Sequence, residues 1–224
     1  MVLKTTVIIL TRNEEGNIKN IIKGVRPYAD EIIVVDGHSK DKTREIAKKE
    51  GTNVILDEGT GKGAAERLAV RHAKHEIIVF IDADGSYDPK DIKRIVEPIK
   101  KREADLVIGS RMKGGSDELH SDLSQFLRLM GNVVLTLIIN YRFNKKLTDC
   151  ESGFRAIRRS VFLDIKTNEN SFTIEQEVVI KCIKKGYKIS EIASHEYSRK
   201  YGKSNLKLWK DGPKFLLSII KNIF

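Results

Sequence analysis

Apolar residues recur along the chain with two periods. Thr5 to Leu10, Ile32 to Val35 and Ile77 to Ile81 are short β-branched or aliphatic runs, each followed by polar residues and then a helical pattern. Such runs predict strands buried on both faces. Between them Ile18, Ile21, Ile22 and Val25 keep helical spacing, as do Ala64, Leu68 and Ala69, while Asp41 to Lys49 predicts a charged amphipathic helix. The βαβαβα alternation predicts an α/β fold, a mostly parallel central sheet with helices on both faces. Leu106 to Ile108 adds a further strand.

The second half departs from this rhythm. Leu123 to Ile139 predicts an apolar-rich helix broken at Gly131, Lys145 to Phe154 a polar loop, Ile174 to Ile183 a helix and Tyr187 to Ile192 a short strand. The chain closes on Trp209, Phe215, Leu216, Ile219, Ile220 and Phe224, interleaved with lysines, which predicts an amphipathic C-terminal helix over 207–224. No run approaches the roughly 20 apolar residues that cross a bilayer as a helix. The 224 residues suit one domain with that short extension.

In a parallel sheet ligands sit beyond the carboxyl ends of the strands. One rim is therefore expected to collect Thr11, Asn13 and Glu14, then Asp36 and Ser39, then Asp82, Ala83 and Asp84, and finally Gly109, Ser110 and Arg111. Asp82 and Asp84, one residue apart at a strand end, offer the oxygen ligands a hard divalent cation wants, and Mg2+ or Mn2+ bridging a diphosphate suits them. A turn or a helix cap is the other use of such aspartates, and Asp88 before Pro89 is read as a cap. Asp36 is placed to accept hydrogen bonds from a base or ribose, whereas Ser39 or Asp41 caps the next helix, capping being the reading for Asp41. Gly59-Thr60-Gly61-Lys62-Gly63 suits either a diphosphate or a plain turn, and its spacing is not that of a P-loop. Arg111 and Arg199 suit either phosphates or surface ion pairs. Glu175 and Glu177 lie two apart on a helix, so at most one reaches the site.

Charge narrows the partners. Lys and Arg number 41 against 31 acidic residues, a formal net charge of +10 that either attracts anionic ligands or surfaces or, the plainer reading of charge alone, keeps the protein surface soluble. No motif with interleaved aromatics accompanies it, so nucleic acid is not an expected partner. Five histidines show no metal-ligand spacing. Met1 leads into an apolar run without an export signal, and Cys150 and Cys182 alone form no disulfide framework, so a reducing cytoplasm is expected.

Taken in order, Thr11 to Asn17, Val34 to Thr43, Gly61-Lys62-Gly63, Asp82-Ala83-Asp84, Gly109-Ser110-Arg111, Asp149 to Phe154 and Arg199 to Ser204 resemble the family-2 glycosyltransferases. Within them the chain most resembles the polyprenyl-phosphate and dolichol-phosphate sugar synthases. The resemblance covers nearly the whole chain and implies a GT-A fold over 1–206, with a nucleotide-sugar-binding half at 1–111 and an acceptor-binding half at 112–206. It implies that Thr11, Glu14 and Asp36 contact the nucleoside, that Lys62 lies near the nucleotide, and that Asp82 and Asp84 hold metal and diphosphate. Arg111 and Arg199 would bind donor or acceptor phosphate, and Asp149 and Glu175 would line the sugar and acceptor side. Asp84, Arg111, Asp149 and Glu175 form the expected catalytic set. Leu10 and Arg12 replace the family's usual Pro and aromatic residue, and Asp36-Gly37 replaces paired aspartates, so a UDP- or GDP-linked donor stays open.

The expected reaction is displacement with inversion at the anomeric carbon. A lipid-phosphate acceptor needs alignment more than a base, whereas a hydroxyl acceptor needs Asp149 or Glu175 as one. Leu123, Phe126, Leu127, Met130, Val134, Leu137 and Ile138, with Arg128, Arg142, Lys145 and Lys146 nearby, form either a surface at an anionic membrane or a stripe packed in the core. Residues 207–224 pose the same choice, with homodimer contact a third option. A sugar nucleotidyltransferase is the rival enzyme class, but Thr11 to Asn17 lacks the Gly-rich basic loop such enzymes carry.

Overall fold

Backbone groups buried away from water must pair, and here the apolar runs pair with one another. The computed structural model describes residues 3–117, 123–199, 201 and 208–223, and the side chains of Ser124 and 208–211 are outside that description. His120, Phe224, the Trp209 side chain and, of the Arg199 to Ser204 run, residues 200 and 202–204 fall outside it as well. The elements are, in chain order, β1 (Thr5–Thr11), α1 (Ile18–Val25), β2 (Glu31–Asp36), α2 (Thr43–Lys49), β3 (Asn53–Leu56), α3 (Lys62–His72), β4 (Ile77–Asp82) and α4 (Ile92–Lys100). They continue with β5 (Leu106–Ser110), α5 (Arg111–Gly114), α6 (Leu123–Phe143), β6 (Arg155–Arg158), α7 (Arg159–Asp164), α8 (Ile174–Lys184), β7 (Ile189–Ala193) and α9 (Leu208–Ile223).

Among the described residues the strands form one seven-stranded sheet in the order β3-β2-β1-β4-β6-β5-β7. All neighbours run parallel except around β6, which is antiparallel to both β4 and β5. The expected α/β architecture is therefore present, with one strand reversed. Alternation along each strand feeds two cores. Ile8, Ile33, Ile78, Phe80 and Ile108 face α3, α6, α7, α8 and α9, while Val7, Ile9, Val34, Val79 and Ile81 face α1 and α4. Ile8, Ile9, Ile33 and Ile78 are fully buried, each stabilising the fold by roughly 1.5–3 kcal/mol.

Three expectations change. β3 and β6 are strands that the apolar pattern did not announce, because β3 is a half-exposed edge and β6 carries arginines at both ends. α6 runs unbroken through Gly131, where open space surrounds the missing side chain and a single glycine costs a long helix only about 1 kcal/mol. Its segment Gln125–Phe143 is long and apolar enough to cross a membrane by length and composition alone. Leu129, Leu135 and Ile139 of that helix are nevertheless buried against the body of the protein.

Candidate active site

Parallel register sets the strand ends level. Thr11 pairs with Asp36 and Leu10 with Asp82, and beside this rim opens a cavity of about 440 Å³. Side chains knit the loops after β1 and β2 together. The Asn13 amide donates to Ser39 Oγ (2.8 Å), the Ser39 amide to Asp36 Oδ1 (2.9 Å), the Lys40 amide to Asn13 Oδ1 (2.8 Å) and the Glu14 amide to Thr43 Oγ1 (2.8 Å). Asn13 and Ser39 thus hold the two loops in place and are not among the residues lining the cavity. Thr11 lines the cavity and its Oγ1 is buried without a partner, which leaves hydrogen-bonding capacity for a ligand, whereas Asp36, whose Oδ2 is also unpartnered, is fully buried and does not line the cavity. Glu14 lines the cavity, and burial, with Asp84 and Asp82 adding repulsion, raises its pKa against the hydrogen bond from Asn17 and the pull of Arg199.

β4 ends at Asp82, and Ala83 and Asp84 form the turn after it, so a turn, not strand alternation, sets the acidic pair. Each carboxylate faces a cation. Lys62 Nζ lies 3.1 Å from both Asp82 oxygens, and the Arg199 guanidinium 2.8 Å from Asp84. Ser86 donates to Asp84 Oδ1 through its amide (3.0 Å) and hydroxyl (2.6 Å). Two neighbouring carboxylates at the cavity fit a hard divalent ion whose remaining positions would go to phosphate oxygens and water. Asp82 and Asp84 would hold it. Among the described residues no group of three or more His, Cys, Asp or Glu forms a metal cluster, and His38, His72 and His195 bond to Asp57, Leu68, Gly114 and Asp117 instead.

Lys62 also meets Glu175 at 2.9 Å, and behind them Arg155 pairs with Glu66 and approaches Glu175 to 3.8 Å. Burial works against the Lys62 charge, but Asp82, Glu175 and Glu66 outweigh it and hold its pKa above the ordinary lysine value. Gly153 makes room for this cluster, since a Cβ there would stand 2.7 Å from Asp82 Oδ2 and 3.0 Å from Lys62 Nζ. The glycine loop before α3 is a packing joint. The Gly63 amide donates to Asn170 O (3.0 Å), and a Cβ at Gly63 would fall 2.1 Å from Glu169 O. Glu177 faces the other way, accepting from the amides of Asn168 (2.9 Å) and Glu169 (2.8 Å), so only Glu175 of that pair reaches the cavity.

Across the cavity Arg111 forks onto Asp149 at 2.7 and 2.9 Å and lies 3.6 Å from Glu196. Asp149 is fully buried and also accepts from Asn132 Nδ2 (2.9 Å) and the Glu151 amide (3.1 Å). Burial alone would raise its pKa, yet Arg111 outweighs that and holds it below the usual carboxylate range. Both Asp149 oxygens are engaged, Oδ2 by the Arg111 amide and Nε, and Oδ1 by Arg111 Nη2, and Asp149 is not among the residues lining the cavity. Several cavity residues escaped the sequence reading, Arg128 and Glu151 among them. Arg128 of α6, read there only as a neighbour of a stripe for either a membrane surface or the core, lines the cavity with Arg111 and Arg199. Arg128, Asn132 and Thr136 stand at i, i+4 and i+8, a polar line on one helix face that was legible. Glu151 stands two residues after Asp149 in the loop before β6.

The sheet, the acidic turn and a cavity lined by both arginines and carboxylates are those of an α/β glycosyltransferase of the GT-A fold. A family model described as glycosyl transferase family 2 matches residues 6–166. The chain is 30% identical over 221 residues to glycosyltransferase AglJ of Haloferax volcanii, covering 96% of this chain and 70% of that protein. The chain belongs to glycosyl transferase family 2 and is an enzyme. It is also 29% identical over 218 residues to a dolichyl-phosphate hexose transferase of Haloferax volcanii, covering 96% of this chain and 92% of that protein. The solved structure of glucosyl-3-phosphoglycerate synthase from Mycobacterium tuberculosis, in complex with Mn2+, uridine diphosphate and glucosyl-3-phosphoglycerate, matches with a TM-score of 0.78. That likeness, at 20% identity over 99% of this chain and 80% of the other, is one of fold.

Proposed function

We propose that this chain transfers a hexose or N-acetylhexosamine from a UDP- or GDP-linked donor to a dolichyl or polyprenyl phosphate at the cytoplasmic face of a membrane. The observation that carries the reading is the double role of α6. One face brings Arg128 to the cavity, while Leu123, Leu127, Val134, Leu137 and Tyr141 stay exposed. α9 packs against α6 and adds exposed Leu216, Leu217 and Ile220. Exposed apolar helix surface suits a bilayer interface, and guanidinium groups suit phosphate. The name of the dolichyl-phosphate hexose transferase relative supports the same acceptor.

In the reaction an acceptor phosphate oxygen bonds to the anomeric carbon from the side opposite the diphosphate. The bond from that carbon to the diphosphate oxygen breaks, and the nucleoside diphosphate departs with inversion. A divalent cation at Asp82 and Asp84 would offset the charge gathering on the departing diphosphate. An anionic acceptor needs alignment more than a base, in keeping with Asp149 bound to Arg111 and Glu175 to Lys62. The second reading is a small soluble phosphorylated acceptor, which the same arginines would suit but which leaves the apolar face without a use.

Incubation of the protein with labelled UDP- and GDP-sugars and Mn2+ tests the two readings, offering vesicles with dolichyl phosphate in one arm and 3-phosphoglycerate in the other. Label is expected in the lipid, and Leu137→Glu with Leu217→Glu is expected to lower lipid transfer at least about tenfold by weakening interface binding. Label in phosphoglycerate alone contradicts the proposal.

A further inference from the structure

The loop between α6 and β6 carries a carboxyl group that the reaction described above does not use. Its backbone is pinned where it meets the cavity: the Cys150 amide donates to Thr136 Oγ1 (3.2 Å) and the Glu151 amide to Asp149 Oδ1 (3.1 Å). The Glu151 side chain lines the cavity, and its Oε1 is buried without a hydrogen-bond partner. A buried oxygen in that condition carries a penalty that a proton or a ligand removes. Arg111 of α5 faces Glu151, but its fork is already committed to Asp149. Glu175 of α8 and Asp149 of the same loop face it with like charge. Burial, with those two carboxylates adding to it and Arg111 opposing, pushes the Glu151 carboxyl up to about 8. The same cavity holds Lys62 of α3, the acidic pair Asp82 and Asp84 after β4, Arg128 of α6, and Glu196 and Arg199 beyond β7.

We propose that Glu151 works as a neutral carboxylic acid that donates a hydrogen bond to an oxygen of the bound acceptor phosphate, favouring phosphate over hydroxyl acceptors; this rests on the lipid-phosphate reading above. A protonated carboxyl has one O–H to donate, and a phosphate oxygen is a strong acceptor for it. A hydroxyl acceptor instead needs a group that takes a proton, and a neutral acid does not. An anion beside Glu151 favours its protonated form further, so acceptor binding and proton retention support each other. The pH sign follows: above the Glu151 pKa the carboxylate repels the phosphate, and kcat/KM for the acceptor falls by up to about tenfold per pH unit.

The test compares wild type, Glu151→Gln and Glu151→Ala in transfer to dolichyl phosphate in vesicles from pH 6 to 10. Carbon NMR of δ-labelled glutamate in the wild type, assigned by difference from Glu151→Gln, reads the carboxyl directly. Glu151→Gln, which keeps a weaker donor, is expected to lower kcat/KM a few-fold at neutral pH and to remove the alkaline decline. Glu151→Ala is expected to lower it by about tenfold or more. The NMR signal is expected to titrate well above the ordinary glutamate range. A Glu151 signal titrating near the ordinary value overturns the proposal, as does an alkaline decline that persists in Glu151→Gln. A loss beyond about a hundredfold in Glu151→Gln also overturns it by marking Glu151 as a base. Wild type without any lipid-phosphate transfer removes the functional reading itself, whereas normal transfer with an unchanged pH profile in the variant removes only the role of Glu151.

Discussion

Asp84→Asn is expected to lower transfer by about a thousandfold or more, an effect of the size found when charge stabilisation of a leaving group is removed. Asp84 sits 4% exposed in the turn after β4, where Ser86 orients one oxygen and Arg199 meets the other. Asparagine fits that space but gives up the negative charge that would hold a divalent ion. Asp82 lies opposite Lys62, and Asp82→Asn is expected to act in the same direction. Steady-state transfer over a range of Mn2+ concentrations checks this. Loss that excess metal does not restore fits the account, and near-normal turnover in Asp84→Asn contradicts a metal role for the pair.

Asp149→Ala is expected to destabilise the protein by about 3–5 kcal/mol, because it strands a buried guanidinium. Asp149 is fully buried and Arg111 9% exposed, so solvent screens little of their interaction. Asp149 has its pKa depressed in the fold. Its contribution is therefore complete above the unfolded value of about 3.9 and is lost as pH falls through the folded value. The deficit of the variant should accordingly be constant near neutrality and shrink in acid. Denaturant unfolding across pH measures it. The milder Asp149→Asn separates positioning from base catalysis. Positioning predicts a raised acceptor KM with an unchanged pH profile, whereas a base role predicts a fall in kcat and loss of the acidic limb.

The parallel half of the fold was legible because strands buried on both faces must be continuously apolar and their polar followers must lie on one rim. β1, β2, β4 and β5 obey that rule. β6 does not, since its Arg155 is buried by pairing with Glu66 across the sheet, a contact between residues far apart in sequence. Asp82, Asp84, Lys62, Thr11, Glu14, Arg111, Glu175 and Arg199 do meet around one cavity, because the strand ends or their following helices carry most of them. The loop contacts of Asn13 and Ser39 were not legible, because a short polar side chain at a strand end serves a loop contact as readily as a ligand. The pairing of Asp149 with Arg111 was not legible, because sequence spacing cannot tell a carboxylate facing a cavity from one facing an arginine. α6 was the hardest element: Leu123, Leu127, Val134 and Leu137 point outward while Asn132 and Thr136 are buried beside Leu129, Leu135 and Ile139, a mixed pattern unlike the single apolar stripe of a core helix.

The measurement that bears most directly on the central claim is thermal unfolding of the purified protein with UDP and with GDP, each with and without Mn2+. A ligand present at a hundredfold its Kd stabilises the native state by about 2.7 kcal/mol. The account predicts that one nucleotide raises the melting temperature only when Mn2+ is present, and that Asp84→Asn abolishes the shift. No shift with either nucleotide at millimolar concentration, or an equal shift without metal that survives in Asp84→Asn, would contradict a metal-dependent nucleotide site at this rim.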